Sequence, residues 1–167
     1  MWLDEQEMQT WRAFLHASIR VIDQLDAELV EQHELTLADY ELVATLSEQP
    51  DGRLRMADLA AQALVSKSRL SYRVDRLEER GLVIRQPDAA DLRGTFAVLT
   101  AAGRRLVNHA AVTHVTGVRT HLLNALAPRE QACVTRGLSA VLYRLDGCDG
   151  GGRDTRSQRA SESRRKA

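Results

Sequence analysis

Aromatic residues are scarce: two Trp, three Tyr and two Phe make up 4% of the 167 residues. A core must therefore be built mostly from Leu, Val, Ile and Ala. Proline is scarcer still, at three residues, and four of the ten glycines crowd into 147–152. Long stretches thus lack helix breakers. Two cysteines, Cys133 and Cys148, are too few for a disulfide framework or a Cys-rich metal site. No run of about 18 apolar residues occurs, so no membrane span is expected. The chain opens Met1-Trp2-Leu3-Asp4-Glu5, acidic where a secretory signal needs a basic start and an apolar block. These absences lead to the expectation of a cytoplasmic protein with no membrane partner.

What is present is ordinary for one globular domain: 44% hydrophobic and 28% charged residues. Net charge is zero, but its distribution is uneven. Residues 1–34 carry −6 and 35–52 carry −4, whereas 53–105 carry +5. A basic middle beside an acidic N-terminal third is consistent with a local anion-binding surface or simply a solvated charged face.

Residues 4–32 read as one helix, with Asp4 and Glu7 spaced as a capping box. Trp11, Leu15, Ser18, Ile22, Leu25 and Leu29 recur at heptad-like spacing, which fits either a subunit contact or packing within the chain. Thr36 caps a second helix that stops at Gln49-Pro50-Asp51-Gly52. A third covers about 56–63. Leu64-Val65-Ser66 is a tight joint, and Ser66 caps a fourth helix over 67–80, with Leu70, Val74 and Leu77 as its buried stripe. The period then changes to two strands, 82–86 and 95–99, around a charged turn-rich loop, as in a β-hairpin. A fifth helix is expected over 101–126, with Val107, Ala111, Val115, Val118, Leu122 and Leu126 on one side. Pro128 opens a sixth, ending near Gly147. Residues 147–167 have almost nothing apolar and read as a disordered basic tail.

Helix, tight joint, helix, hairpin is a winged helix-turn-helix. The fold class is thus mainly α with a small β-hairpin wing. On the helix after the joint, Ser68, Tyr72, Asp75, Arg76 and Glu79 face away from the apolar stripe, flanked by Lys67, Arg69 and Arg73. Basic and hydroxyl side chains cluster in its first half, the half that enters a major groove in this motif. Arg bonds guanine bidentately, and Ser bonds several base edges. Ser66, Lys67, Ser68, Arg69, Tyr72, Arg73 and Arg76 are therefore candidate DNA contacts. Asp75, Glu78 and Glu79 lie toward the far end and are expected to point away from phosphates or pair with Arg73, Arg76 and Arg80. Arg93, beside Gly94, is placed to enter a narrow minor groove, held by Asp91.

Asp91-Leu92-Arg93-Gly94 followed by Val98-Leu99-Thr100-Ala101-Ala102-Gly103 resembles the wing signature of the MarR family of bacterial transcription regulators. So do Leu59-Ala60, Val65-Ser66-Lys67-Ser68, and Leu77-Glu78-Glu79-Arg80-Gly81-Leu82-Val83. The resemblance covers about residues 5–146. It implies a homodimer joined through the first, fifth and sixth helices and reading a pseudopalindromic operator on double-stranded DNA. It divides the chain into an N-terminal dimerisation helix (1–34), a DNA-binding domain (35–100), C-terminal dimerisation helices (101–146) and the tail (147–167). One departure is Ala127 before Pro128, where the family often has a capping Thr or Ser, so this helix start is expected to fray.

The resemblance also implies a repressor released by a small anionic or aromatic effector. Trp11, Arg12, His16, Arg20 and Tyr40 are candidate ligand contacts, since aromatic faces and cations suit a planar anion. Cys133 and Cys148 lie away from the positions of a thiol sensor. The histidines offer no pair at i, i+4, and His114 and His121 are about 10 Å apart along a helix. No phosphate loop, nucleophile–base pair or metal motif appears, so no enzyme, cofactor or metal is expected. The other reading of the same fold is a protein-interaction module without an operator.

Overall fold

A computed structural model describes residues 2–63, 65–88 and 94–149. The longest helix forms where breakers are absent: α1, Glu5–His33, contains neither Gly nor Pro. The Asp4 carboxylate accepts the Glu7 N–H at 2.8 Å, and Glu7 accepts the Asp4 N–H at 2.9 Å, a complete capping box. The helix stops at Glu34, which takes the left-handed conformation at φ 53°. Arg80 supports that strained end by donating to the carbonyls of Glu34 and His33 at 2.6 and 3.3 Å.

Thr36 caps α2, Leu37–Glu48, by accepting the Asp39 N–H at 3.1 Å. This short helix lies in the middle of the core, burying Tyr40, Leu42, Val43 and Leu46. After a turn at Gly52 come β1 (Arg53–Arg55), α3 (Met56–Gln62) and α4 (Lys67–Glu79). The wing strands are β2 (Val83–Pro87) and β3 (Thr95–Leu99), and α5 runs Ala101–His121. Leu29, Leu35, Leu59, Leu70, Leu77 and Val83 complete one aliphatic core. Each such side chain contributes about 1.5–3 kcal/mol on full burial.

Three differences from the sequence reading have physical causes. The hairpin is part of a three-stranded antiparallel sheet of order β1-β3-β2, and β1 was not foreseen. Its three residues, Arg-Leu-Arg, are too few to show a period. They pair through register, Leu54 opposite Ala97, and both arginines lie over the Phe96 ring, at 4.9 and 5.6 Å. β2 starts at Val83 because Gly81, at φ 67°, and Leu82 make the turn, and Pro87 ends this edge strand, where no ladder donor is needed.

The third difference concerns α5, which ends at His121 and not at 126. Its buried side is Gly103, Val107, Ala110 and Gly117, whereas Val115 is 44% exposed. The packing face is rotated from the one the valines mark, because α1 closes on the small residues. A Cβ on Gly117 would lie 2.7 Å from a Leu25 methyl. His121 Nε2 meets Glu28 Oε1 at 2.6 Å, and Thr113 donates to Gln32 at 2.9 Å, across the same seam. Leu25 and Leu29 are buried here within the chain, while Trp11 and Ile22 of the same heptad pattern stay exposed.

The chain divides into two units, Met1–Leu122 and Leu123–Ala167. In the second, a one-turn 3-10 helix, Leu123–Ala125, precedes α6, Pro128–Asp149. Ala127 offers no hydroxyl, and the Glu130 N–H bonds its carbonyl at 2.9 Å instead, while the Glu130 carboxylate accepts the Ala127 N–H at 2.7 Å, half of a capping box. The helix extends two residues past Gly147, and residues 150–167 of the expected tail lie outside the described residues. Among the described residues, no helix is long and apolar enough to cross a membrane.

Gly103 shows how tightly α5 sits on the wing. A Cβ there would come 2.2 Å from the Leu82 carbonyl oxygen and 2.7 Å from a Leu99 methyl. Gly103→Ala should therefore destabilise the protein by about 1–3 kcal/mol, despite the higher helix propensity of Ala, as an overpacked site does. Thermal unfolding checks this, and an unchanged or raised melting temperature would show that the contact is soft.

Candidate nucleic-acid interface

α4 is the centre of the site. Ser66 caps it, accepting the Arg69 N–H at 3.4 Å, and its first turn contains no acidic residue. Leu70, Val74 and Leu77 form the one buried stripe. The joint before it is closed by the Val65 N–H on the Ala60 carbonyl at 3.2 Å. Lys67, Ser68, Arg69 and Tyr72 are exposed, Tyr72 at 65%. Among the described residues neither Lys67 nor Arg69 has an acidic partner.

Of the remaining charges of α4, four are partnered on other elements and Glu79 stays exposed. Arg73 Nη1 donates to Asp39 Oδ1 at 3.0 Å, and Arg76 lies 3.9 Å from the other oxygen. Asp39 belongs to the first turn of α2, and its side chain is only 3% exposed. Asp75 and Glu78 do not pair with the arginines of their own helix. Both bind Arg85 of β2, Asp75 at 2.7 Å. Arg80 serves the end of α1. Each arginine is drawn to a carboxylate or carbonyl fixed on a neighbouring element, where less side-chain entropy is lost than in a mobile intrahelical pair.

Ser66 to Arg76 are thus brought together on one helix, with Lys67, Ser68, Arg69 and Tyr72 outward and Arg73 and Arg76 tied back. Asp91 and Arg93 lie outside the described residues. The base of their loop is closed by the Asp88 N–H on the Gly94 carbonyl at 2.9 Å, and buried Asp88 is paired with Arg55.

The five candidate ligand contacts are not brought together within the chain. Trp11, Arg12, His16 and Arg20 are exposed on the N-terminal half of α1, with Trp11 against Phe14 at 6.3 Å between ring centroids. Tyr40 is a core residue, its ring 4.7 Å from that of His114. Burial, then the nearby Glu41 and Glu48 carboxylates, raise its phenol above the ordinary range. An open cavity of about 570 Å³ lies elsewhere, lined by Asp26, Thr36, Ala38, Ser68, Arg69, Tyr72, Arg73 and Arg76.

Asp39 and Arg85 were missed as site residues. Asp39 carries a weak signal, an acid three residues after a capping Thr, which reads as helix start alone. Arg85 carries none, since it shares the face of β2 with buried Val83 and a lone strand cation does not name its partner.

The packed three-helix core with a three-stranded sheet is a winged helix-turn-helix. Residues 33–94 match the family model described as MarR family. The transcriptional regulator HosA of Escherichia coli O157:H7 is 34% identical over 103 residues, 60% of this chain and 74% of HosA. AbsC, a MarR family transcriptional regulator from Streptomyces coelicolor, superposes with a TM-score of 0.84 at 37% identity, over 88% of this chain and 99% of AbsC. Sco3205, a MarR family regulator of the same organism solved in complex with DNA, gives 0.84 at 35% identity, over 87% and 91%. The chain belongs to the MarR family. Its relatives are transcriptional regulators and not enzymes.

Asp39→Asn keeps the volume but removes the charge that holds two guanidinium groups. Unfolding in urea should show a loss of about 1–3 kcal/mol, the scale of a hydrogen bond to a charged group. A loss below about 0.5 kcal/mol would mean that the tie is exchanged for water at no cost.

Proposed function

We propose that the protein is a homodimeric, sequence-specific DNA-binding repressor released by a small anionic or aromatic ligand. The observation that carries this reading is the sorting of charge on α4. Two of its three acids, Asp75 and Glu78, are drawn to Arg85 on the wing side, while Lys67, Ser68, Arg69 and Tyr72 face outward without acidic partners among the described residues. A helix so prepared suits a major groove, with Lys67 at a phosphate and Ser68, Arg69 and Tyr72 toward base edges. Arg93, oriented by Asp91, is assigned to the minor groove. The DNA complex of the relative Sco3205 supports the same partner.

The dimer reading rests on apolar faces that one chain does not cover. Trp11, Phe14, Ile19 and Ile22 of α1 are exposed, as are Val134, Leu138, Val141 and Leu145 of α6, at heptad-like spacing. The ligand reading rests on the open cavity above. Arg69 supplies a cation without an acidic partner and Tyr72 an aromatic face, so an anion there would compete with DNA for the same side chains. Trp11, Arg12, His16 and Arg20 then require a second protomer to take any part.

Ile22 is 52% exposed, so Ile22→Glu should leave the chain folded and yield monomers. Sedimentation of both proteins checks this, and a wild-type monomer removes the dimer reading. Leu25 would be a poor choice, being buried in its own chain.

DNA selected from a random pool, followed by gel shifts, tests the rest. Arg93→Ala should cost about 1–3 kcal/mol for each half-site while leaving the fold intact. Lys67→Ala should weaken all sequences alike and flatten the salt slope by about one for each protomer. The wing assignment is falsified if Arg93→Ala binds the selected operator as wild type does. A wild-type protein without sequence preference would favour the interaction-module reading.

A further inference from the structure

α4 buries a single stripe, Leu70, Val74 and Leu77. One stripe fixes the depth of a helix but resists rotation about its own axis only weakly. Side chains that read bases are sensitive to such rotation. A roll of about 10° moves a tip about 6 Å from the axis by about 1 Å, given the helix diameter. That is enough to break a hydrogen bond to a base edge.

Two ionic ties flank the stripe. Asp39 holds Arg73 and Arg76 on the α2 side. On the wing side a single residue, Arg85 of β2, reaches three turns of α4. Its Nη2 donates to the Ser71 carbonyl at 3.0 Å and lies 3.3 Å from the Ser71 hydroxyl. Its Nη1 meets Asp75 at 2.7 Å and a Glu78 oxygen. Its backbone N–H donates to the other Glu78 oxygen at 2.6 Å. Residues 71, 75 and 78 stand at i, i+4 and i+7, along one flank of the helix.

The anchor is firm, since Arg85 is paired with Ala97 of the central strand, and Ala97 and Val83 are fully buried. Apolar packing does not replace it. Between the first half of α4 and the wing strands lies an open cavity of about 460 Å³, lined by Lys67, Leu70, Ser71, Arg85 and Thr95 among others. The Arg85 side chain, 25% exposed, spans that gap.

We infer that Arg85 is a positioning residue for DNA recognition: by holding Ser71, Asp75 and Glu78 together it sets the roll of α4 against the wing, so that both engage DNA in one register. The inference rests on the DNA-binding reading above. Arg85 acts through α4 and need not touch DNA. A lysine would keep the charge but not the planar fork that serves three acceptors at once.

The test uses the full-length protein and DNA selected by the wild type from a random pool. Affinity for the selected site and for random DNA is measured across a salt series. For Arg85→Lys, the specific-to-random ratio should fall about tenfold, the scale of one misread base pair. Affinity for random DNA and the salt slope should stay unchanged. An unchanged ratio overturns the inference. So does an equal fall for both DNAs, which would make Arg85 a phosphate contact.

Asp75→Asn gives a second reading on an exposed side chain that folding tolerates. Removing this acid by itself strengthens binding to every sequence and leaves the ratio alone. Positioning predicts that the ratio falls while random binding holds or rises. A constant ratio in this variant also overturns the inference. A wild type that selects no sequence removes the DNA reading itself, and the positioning role with it, and is distinguished by failing before any variant is compared.

Discussion

Asp39 is a charge that must be satisfied inside the protein. A polar group this deeply buried is costly without donors, and two guanidinium groups of α4 meet it. The same requirement fixes α4 against α2, the helix on which the aliphatic core converges. Removing one partner would strand the other, which gives the pair its hold on the geometry even if its net contribution to stability is small. On the opposite flank Arg85 makes the complementary arrangement, a cation from the sheet meeting acids of the helix. The recognition helix is thus seated by hydrophobic burial and oriented by electrostatics, and the two tasks fall to different residues.

The C-terminal end of α4 joins this arrangement to the long helices. Arg80 donates to the last carbonyls of α1, and the Thr100 hydroxyl, which also caps α5, donates to the carbonyl of Gly81 at 2.7 Å. Gly103 then packs on Leu82 with no room for a side chain. Three consecutive residues, Arg80, Gly81 and Leu82, therefore touch α1, the wing and α5. Displacing either long helix would load the end of α4 directly, through hydrogen bonds and backbone contact and not through a chain of mobile side chains.

Much of this was legible before any coordinates. The capping boxes and hydroxyl caps at Asp4, Thr36, Ser66 and Thr100 are local, so short sequence windows contain all that is needed to see them. The α4 stripe was legible for the same reason. What could not be read was long-range. β1 exists because β3 offers an edge, and three residues hold no period. The buried face of α5 follows from where α1 can approach, over Gly117 and Ala110, so Val107 is buried while Val115, at equally plausible spacing, is exposed. The candidate ligand residues failed to converge because aromatic and basic character says nothing of whether Tyr40 faces the core. Above all, a charged residue does not announce its partner. Asp75 and Arg76 look like neighbours on a helix, yet each is bound to a different element.

That redistribution changes what the basic middle of the chain means. The +5 of residues 53–105 includes Arg55, Arg73, Arg76, Arg80 and Arg85. Four of them donate to carboxylates or carbonyls within the protein, and Arg76 lies 3.9 Å from the Asp39 carboxylate. The charge left to face solvent is smaller than the count suggests: among the described residues, the segment's other cations are Lys67 and Arg69 on α4, Arg53 on β1 and Arg104 and Arg105 on α5, all exposed. With five cations drawn to groups within the chain, a neutral protein gains less from non-specific attraction to a polyanion than its count suggests, because each phosphate contact contributes about one counterion to the salt dependence. Under the proposed DNA reading, discrimination between sequences then rests on geometry. In such a protein the internal arginines matter as much as the outward ones, since they determine where the few outward side chains point.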